Sequence, residues 1–153
     1  MRYAGLAGLI FGVDFFLKRW ADNYKRLGRR KLYWKERIAL WKYHNHGGFY
    51  NLGQGRPWLV RTLSVGLSIV TTVLFVLTLT RHGSSLLKTG LALMLGGAFS
   101  NTYDRLTKKY VVDYLELPKV PLLNKIIFNL SDFCIALGAL LTVLSCGREK
   151  EPV

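Results

Sequence analysis

Thr62 to Thr80 runs nineteen residues without a charged side chain. At 1.5 Å per residue a helix of that length covers about 28 Å, the thickness of a bilayer's hydrocarbon core. The run sits in a chain of 153 residues that is half hydrophobic, with a mean hydropathy of +0.19, yet carries a net charge of +13. Few soluble domains combine these properties. The charges also lie between apolar blocks, not among them. An excess of Lys and Arg calls for an anionic partner. With this spacing the partner is an anionic lipid surface flanking membrane segments, and nucleic acid is set aside.

Four apolar blocks follow from the pattern. Tyr3 to Leu17 is broken only by Asp14 and can extend helically to Trp20. A signal peptide is the competing reading, but no small-residue cleavage site follows, and the block runs into Lys18-Arg19. Pro57 to Thr80 is the clearest span. Leu86 to Tyr103 is the third, with Lys88 able to snorkel. Its Gly90, Gly96, Gly97 and Ala98 offer a small-residue face for close helix packing. Ile126 to Cys146 is the fourth. Cys134 and Cys146, both inside it, are too far apart along one helix to pair. Arg81–Ser85 reads as a short polar turn, and the tail from Gly147 as frayed.

The expected fold is therefore an all-α integral membrane protein. Residues 1–153 form a single membrane domain with four transmembrane helices, about 3–20, 57–80, 86–103 and 126–146. An interfacial loop or small extracytoplasmic element lies between helices 1 and 2. That element begins with Lys18 to Lys42, which holds ten Lys and Arg interleaved with Trp20, Tyr24, Tyr33, Trp34 and Trp41. Rings at headgroup depth and cations on phosphates suit an interface. A solvated connector fits as well. His44 to Gly55 is rich in Gly and Asn and reads as a loop. His44 and His46 lack a third ligand at suitable spacing, so neither a metal nor any cofactor is expected.

Carboxylates inside such blocks are costly unless they face protein or water. Asp14 sits near the end of span one, Asp104 closes span three, Asp113 lies in a Val-Val-Asp-Tyr-Leu run, and Asp132 begins span four. With four spans, parity brings Asp14, Asn45, Asn101, Asp104, Asp113, Asn129 and Asp132 to one membrane face. Asn129 and Asp132 share a helix side. Two carboxylates at one site keep a proton between them, so one can activate water while the other polarises a carbonyl. That is aspartic peptidase chemistry. An ion-pair network is the alternative, Asp14 with Lys18 and Asp104 with Arg105 or Lys108. It weighs most on Asp14 and Asp104, and least on Asp113 and Asp132.

Three stretches resemble the successive signatures of signal peptidase II, the lipoprotein signal peptidase. They are Gly96-Gly97-Ala98-Phe99-Ser100-Asn101-Thr102-Tyr103-Asp104-Arg105, Tyr110-Val111-Val112-Asp113-Tyr114 and Phe128-Asn129-Leu130-Ser131-Asp132. Asp14 with Lys18 resembles the Asp and Lys ending that family's first helix. Asn45-His46-Gly47-Gly48-Phe49-Tyr50 resembles its Asn-x-Gly-Ala-Ala-Phe loop. Ser100 and Lys109 stand where the family usually has glycine, and Tyr50 where it has Phe.

The resemblance implies a four-helix enzyme of the bacterial cytoplasmic membrane, multi-pass, with its aspartic dyad toward the external face. It would cleave lipidated prolipoproteins just before the diacylglyceryl-cysteine, without a cofactor. The dyad would be Asp113 and Asp132. Asp14, Lys18, Asn45, Gly47, Asn101, Asp104, Arg105 and Asn129 would support it or bind substrate. The implied orientation puts the basic first loop outside, against the positive-inside tendency. Two other functions fit the same chain: a catalytically divergent relative that binds lipoproteins or lipid, and a small proton-coupled transporter. Intact Asp113 and Asp132 favour the enzyme over the first. The absence of internal proline in spans two to four favours it over the second.

Overall fold

A computed structural model describes residues 1–24, 29–80 and 85–148. The expected turn at Arg81–Ser85 and the polar tail fall almost wholly outside these residues. Helix α1 is Arg2–Tyr24, α2 Pro57–Leu79, α3 Ser85–Thr107 and α4 Leu130–Arg148. Helix α3 packs against each of the other three.

The outward faces of α2 and α4 are apolar. Leu63, Leu67, Ile69, Val70, Val73 and Leu77 are exposed on α2, while its buried residues are Ser68, Thr71 and Phe75. A water-soluble protein would reverse this pattern, whereas hydrocarbon stabilises it. Among the described residues two helices, Pro57–Leu79 and Leu130–Gly147, are long and apolar enough to cross a membrane. Pro57 occupies the first turn of α2, where its missing N–H costs nothing. Helices α1 and α3 carry buried charge and are less apolar.

The small-residue face of α3 acts as expected. A side chain at Gly90 would collide with the Gly138 carbonyl at 2.8 Å, and one at Gly97 with the Ser131 carbonyl at 2.7 Å. The backbones of α3 and α4 therefore meet directly, which brings the end of α3 beside the start of α4.

The chain is mostly helical, as expected, but not wholly so. The described residues include a four-stranded antiparallel sheet in the order β1-β2-β3-β4. Its strands are β1 Lys31–Tyr33, β2 Ile38–Asn45, β3 Val111–Glu116 and β4 Ile127–Phe128. Part of the expected basic connector is thus a hairpin, and His44 and Asn45 lie in a strand, not a loop. These segments are rich in β-branched and aromatic residues, which suit a half-buried pleated surface. The hairpin tip, Trp34-Lys35-Glu36, has positive φ at all three residues. An extra residue in β2 between Leu40 and Tyr43 places Tyr43 opposite Asp113, and His44 opposite Val112. Buried Glu116 anchors the sheet. Arg30 donates to its Oε1 at 2.8 Å, and the Trp41 indole N–H donates to its Oε2.

Helix boundaries shift accordingly. Helix α1 extends to Tyr24, and α3 to Thr107. Helix α4 starts at Leu130, not Ile126, because Ile127 and Phe128 pair with Glu116 and Leu115.

Candidate active site

The start of α4 fixes the first carboxylate. Asn129 Oδ1 accepts the Asp132 N–H at 3.0 Å, and Asp132 Oδ2 accepts the Asn129 N–H at 3.0 Å. This reciprocal pair satisfies two backbone donors at the helix start, in the manner of a capping box. The other carboxylate oxygen, Asp132 Oδ1, accepts from Asn101 Nδ2 at 3.0 Å. The capping residue has one more polar group, and it goes to the second carboxylate: Asn129 Nδ2 donates to Asp113 Oδ1 at 2.7 Å.

Asp113 is buried in β3. Its Oδ2 accepts from Asn45 Nδ2 at 2.9 Å, across the sheet. Asn45 is oriented in turn by the Gly47 N–H, which donates to its Oδ1 at 2.9 Å. Gly47 admits no side chain, since a Cβ would lie 2.6 Å from the Asn51 carbonyl. Burial, and then the Asp132 carboxylate, push the Asp113 carboxyl up to about 7, against the amide donors of Asn45 and Asn129.

The other carboxylates are partnered differently. Asp14 and Lys18 are fully buried and paired at 2.9 Å. Lys18 also reaches Ser100 Oγ, Asn101 Oδ1 at 2.7 Å, and Asp104 at 3.6 Å. Asp104 pairs with Lys108 at 3.1 Å and accepts the Val112 N–H. Among the described residues Asp113 and Asp132 make no ion pair, whereas Asp14 and Asp104 both do. Asp104 does not pair with Arg105. The Arg105 guanidinium donates to the Gly47 carbonyl at 3.0 Å, and its buried Nε has no hydrogen-bond partner.

Ser100, at a usual glycine position, donates to Asp14 Oδ2 at 2.6 Å. Lys109, at another, takes a left-handed backbone with φ 69°. Ser131 also donates to Asp14, and the Tyr114 hydroxyl donates to Asp14 Oδ1 at 3.2 Å. Burial and the Asp14 carboxylate raise the Tyr114 phenol. Ser131 and Tyr114 lie within the signature stretches, but the sequence assigns neither a role. They lie 117 and 100 residues from Asp14, and nothing local marks the contacts. His44 and His46 both contact the Tyr110 ring, and His44 Nε2 lies 2.9 Å from Asp22.

Three cavities meet at the carboxylates. An apolar cleft of about 650 Å³ between α2, α3 and α4 is lined by Leu67, Met94 and Phe133, and also by Asn101, Arg105 and Asp132. A more polar cavity of about 350 Å³ is lined by Tyr43, Tyr50, Asn51 and Asp113. Both carboxylates line a space of about 50 Å³ with Asn45, Asn101 and Arg105. That volume holds a water molecule among polar partners.

Known proteins resemble this chain in sequence and in fold. The family model described as signal peptidase (SPase) II matches residues 6–147. Lipoprotein signal peptidase of Shouchella clausii is 29% identical over 150 residues, 95% of each chain. That of Lactobacillus johnsonii is 30% identical over 136 residues, 89% of this chain and 85% of the relative. A solved bacterial membrane enzyme superposes with a TM-score of 0.83 over 99% of this chain and 94% of its own, at 16% identity, which establishes a common fold. A second does so at 0.77. The chain therefore belongs to the signal peptidase II family, aspartic-type membrane hydrolases that remove signal peptides from prolipoproteins.

Proposed function

We propose that Asp113 and Asp132 are the dyad with which this signal peptidase II hydrolyses the bond before the lipidated cysteine of a prolipoprotein. One observation carries the assignment: Asp113 and Asp132, which make no ion pair among the described residues, are bridged by Asn129 and line one water-sized space. Sharing a single proton, they divide the work. The ionised carboxylate takes a proton from water as its oxygen bonds to the scissile carbonyl carbon. The protonated carboxyl donates to the carbonyl oxygen. As the tetrahedral intermediate collapses, the C–N bond breaks and the amine leaves with a proton from the dyad. Water is consumed, and a carboxylic acid and an amine result.

The supporting residues fall into two groups. Asn45, Asn101 and Asn129 orient the dyad through neutral amides, with Gly47 holding the Asn45 turn. Asp14, Lys18 and Asp104 form a charged scaffold behind it. Arg105 brings positive charge to the cleft, where it serves the carbonyl side of a bound peptide. The apolar cleft suits the hydrophobic signal peptide.

In this reading residues 1–153 form one membrane domain, and all four helices span. The internal pairing of Asp14, Lys18 and Asp104 supports spanning by α1 and α3, because a satisfied charge network tolerates a dry surround. The dyad end faces outward, where exported substrates arrive. A cysteine at Gln54, in a background lacking Cys134 and Cys146, should then react with an impermeant thiol reagent on intact cells. Reaction only after permeabilisation would reverse the orientation. Anionic lipids are a second partner. Arg29, Lys31, Lys35 and Arg37 are exposed, as is Trp34 among them in the sequence.

Purified protein incubated with lipidated and unlipidated forms of one prolipoprotein tests the activity. Cleavage of the lipidated form before its cysteine is expected. Equal cleavage of both would remove lipid from the recognition, and cleavage of neither would remove the function.

A further inference from the structure

Strand β3 and the start of α4 are joined by two adjacent rungs. In the first, Asn129 Nδ2 donates to Asp113 Oδ1. In the second, one residue further along each element, the Leu130 N–H donates to the Tyr114 hydroxyl at 3.0 Å. Successive strand residues point to opposite faces. The rungs therefore hold side chains from both faces of β3, and together with its ladders to β2 and β4 they set the strand's rotation relative to the start of α4.

The phenol is itself held in one direction. Asp14 Oδ1 accepts its proton, so its lone pair is left facing Leu130. Asp14 cannot reverse that bond, because it is an acceptor paired with Lys18. Ser131 donates to the other oxygen of Asp14, so α1, β3 and the first turn of α4 converge on one buried carboxylate. Leu130 is the first residue of α4, whose N–H has no partner within the helix. Tyr114 thus completes the helix start and fixes its distance to the strand.

We infer that Tyr114 is a positioning residue for catalysis, whose hydroxyl sets the placement of Asp113 relative to Asp132. The inference rests on the assignment of those two residues as the dyad. Tyr114 lies behind the carboxylates, and we assign it no contact with substrate. Its loss should therefore lower turnover and leave substrate binding intact. A displaced catalytic group costs about tenfold to a hundredfold in rate.

Three variants, assayed in the full-length protein on a lipidated prolipoprotein, test this. Tyr114→Phe removes only the hydroxyl, and should lower kcat by about tenfold or more with KM unchanged. Leu130→Pro removes the donor of the same rung at a helix position that tolerates proline, and should reproduce the loss. It also keeps the test open if the phenylalanine variant does not fold. Glu116→Gln weakens the anchor of the same strand without touching either rung, and should keep its kcat. A kcat within about twofold of the parent in a folded Tyr114→Phe or Leu130→Pro protein would overturn the inference, as would an equal fall in Glu116→Gln or a loss confined to KM. Activity in Asp113→Asn or Asp132→Asn would instead overturn the dyad assignment beneath it.

Discussion

Asn129 Nδ2 donates to Asp113 Oδ1 at 2.7 Å. The same side chain caps the helix that carries Asp132, so one residue both starts α4 and ties it to the opposing carboxylate. The two roles separate by substitution. Asn129→Ser keeps a good capping oxygen and loses the donor to Asp113, whereas Asn129→Ala loses both. A lost cap costs about 1 kcal/mol. We expect the alanine variant to melt lower than the serine variant in detergent, and both to be severely impaired in turnover. Near-parental activity in Asn129→Ser would show that the Asp113 contact is dispensable.

The buried Asp14–Lys18 pair makes a second prediction, about stability. Removing one partner of a buried pair leaves the other charge uncompensated and costs about 3–5 kcal/mol. Lys18→Met should therefore unfold at a much lower temperature, stranding Asp14 beside Ser100, Ser131 and Tyr114. The double variant Asp14→Asn, Lys18→Met should recover part of the loss. A double variant no better than Lys18→Met would mean that the pair is not the source of the cost.

The raised Asp113 carboxyl gives a third, about pH. An ordinary aspartate ionises near 3.9 in the unfolded chain, while Asp113 in the folded protein does so at about 7. Between those values the folded state holds a proton that the unfolded state has lost. The contribution of Asp113 to stability is therefore full below the unfolded value and declines as pH rises to about 7. Turnover should fall through the same upper limit as the shared proton leaves. Asp113→Asn should flatten the stability profile, as read by melting temperature against pH in detergent. An unchanged slope in that variant would contradict the shift.

The hairpin carries a fourth. Each cation near an anionic surface contributes about 1 kcal/mol of attraction, screened by salt. Arg30 is held by Glu116, so it is not a free probe of lipid contact. Replacing Arg29, Lys31 and Lys35 with Gln should lower turnover in vesicles rich in anionic lipid and leave it unchanged in neutral detergent. Equal activity in both settings would make the hairpin a connector only.

How far the sequence disclosed these features depended on their range. The capping pair Asn129 and Asp132 is three residues apart, and its shared side could be read directly. The uncharged run in α2 and the glycines of α3 were equally legible, because length and small side chains act locally. The sheet was not. Its strands β2 and β3 join residues such as Asn45 and Asp113, 68 positions apart. The density of Lys and Arg from Lys18 to Lys42 masked the strand-forming residues among them. The early start given to α4 has the same origin, since Ile127 and Phe128 look like helix until β3 is there to pair with them. Asp14 appeared as a carboxylate with a nearby lysine. Its hydroxyl donors come from α3, β3 and α4, and only the folded chain assembles them.

We propose above that Asp113 and Asp132 perform the hydrolysis. The most direct test is the rate of cleavage of a lipidated prolipoprotein by purified Asp113→Asn and Asp132→Asn proteins, each shown to be folded and membrane-inserted. Amide replaces acid at nearly constant volume, so the fold should survive while the shared proton and the base are lost. Neither variant should cleave detectably. Substantial turnover by either one would contradict the assignment.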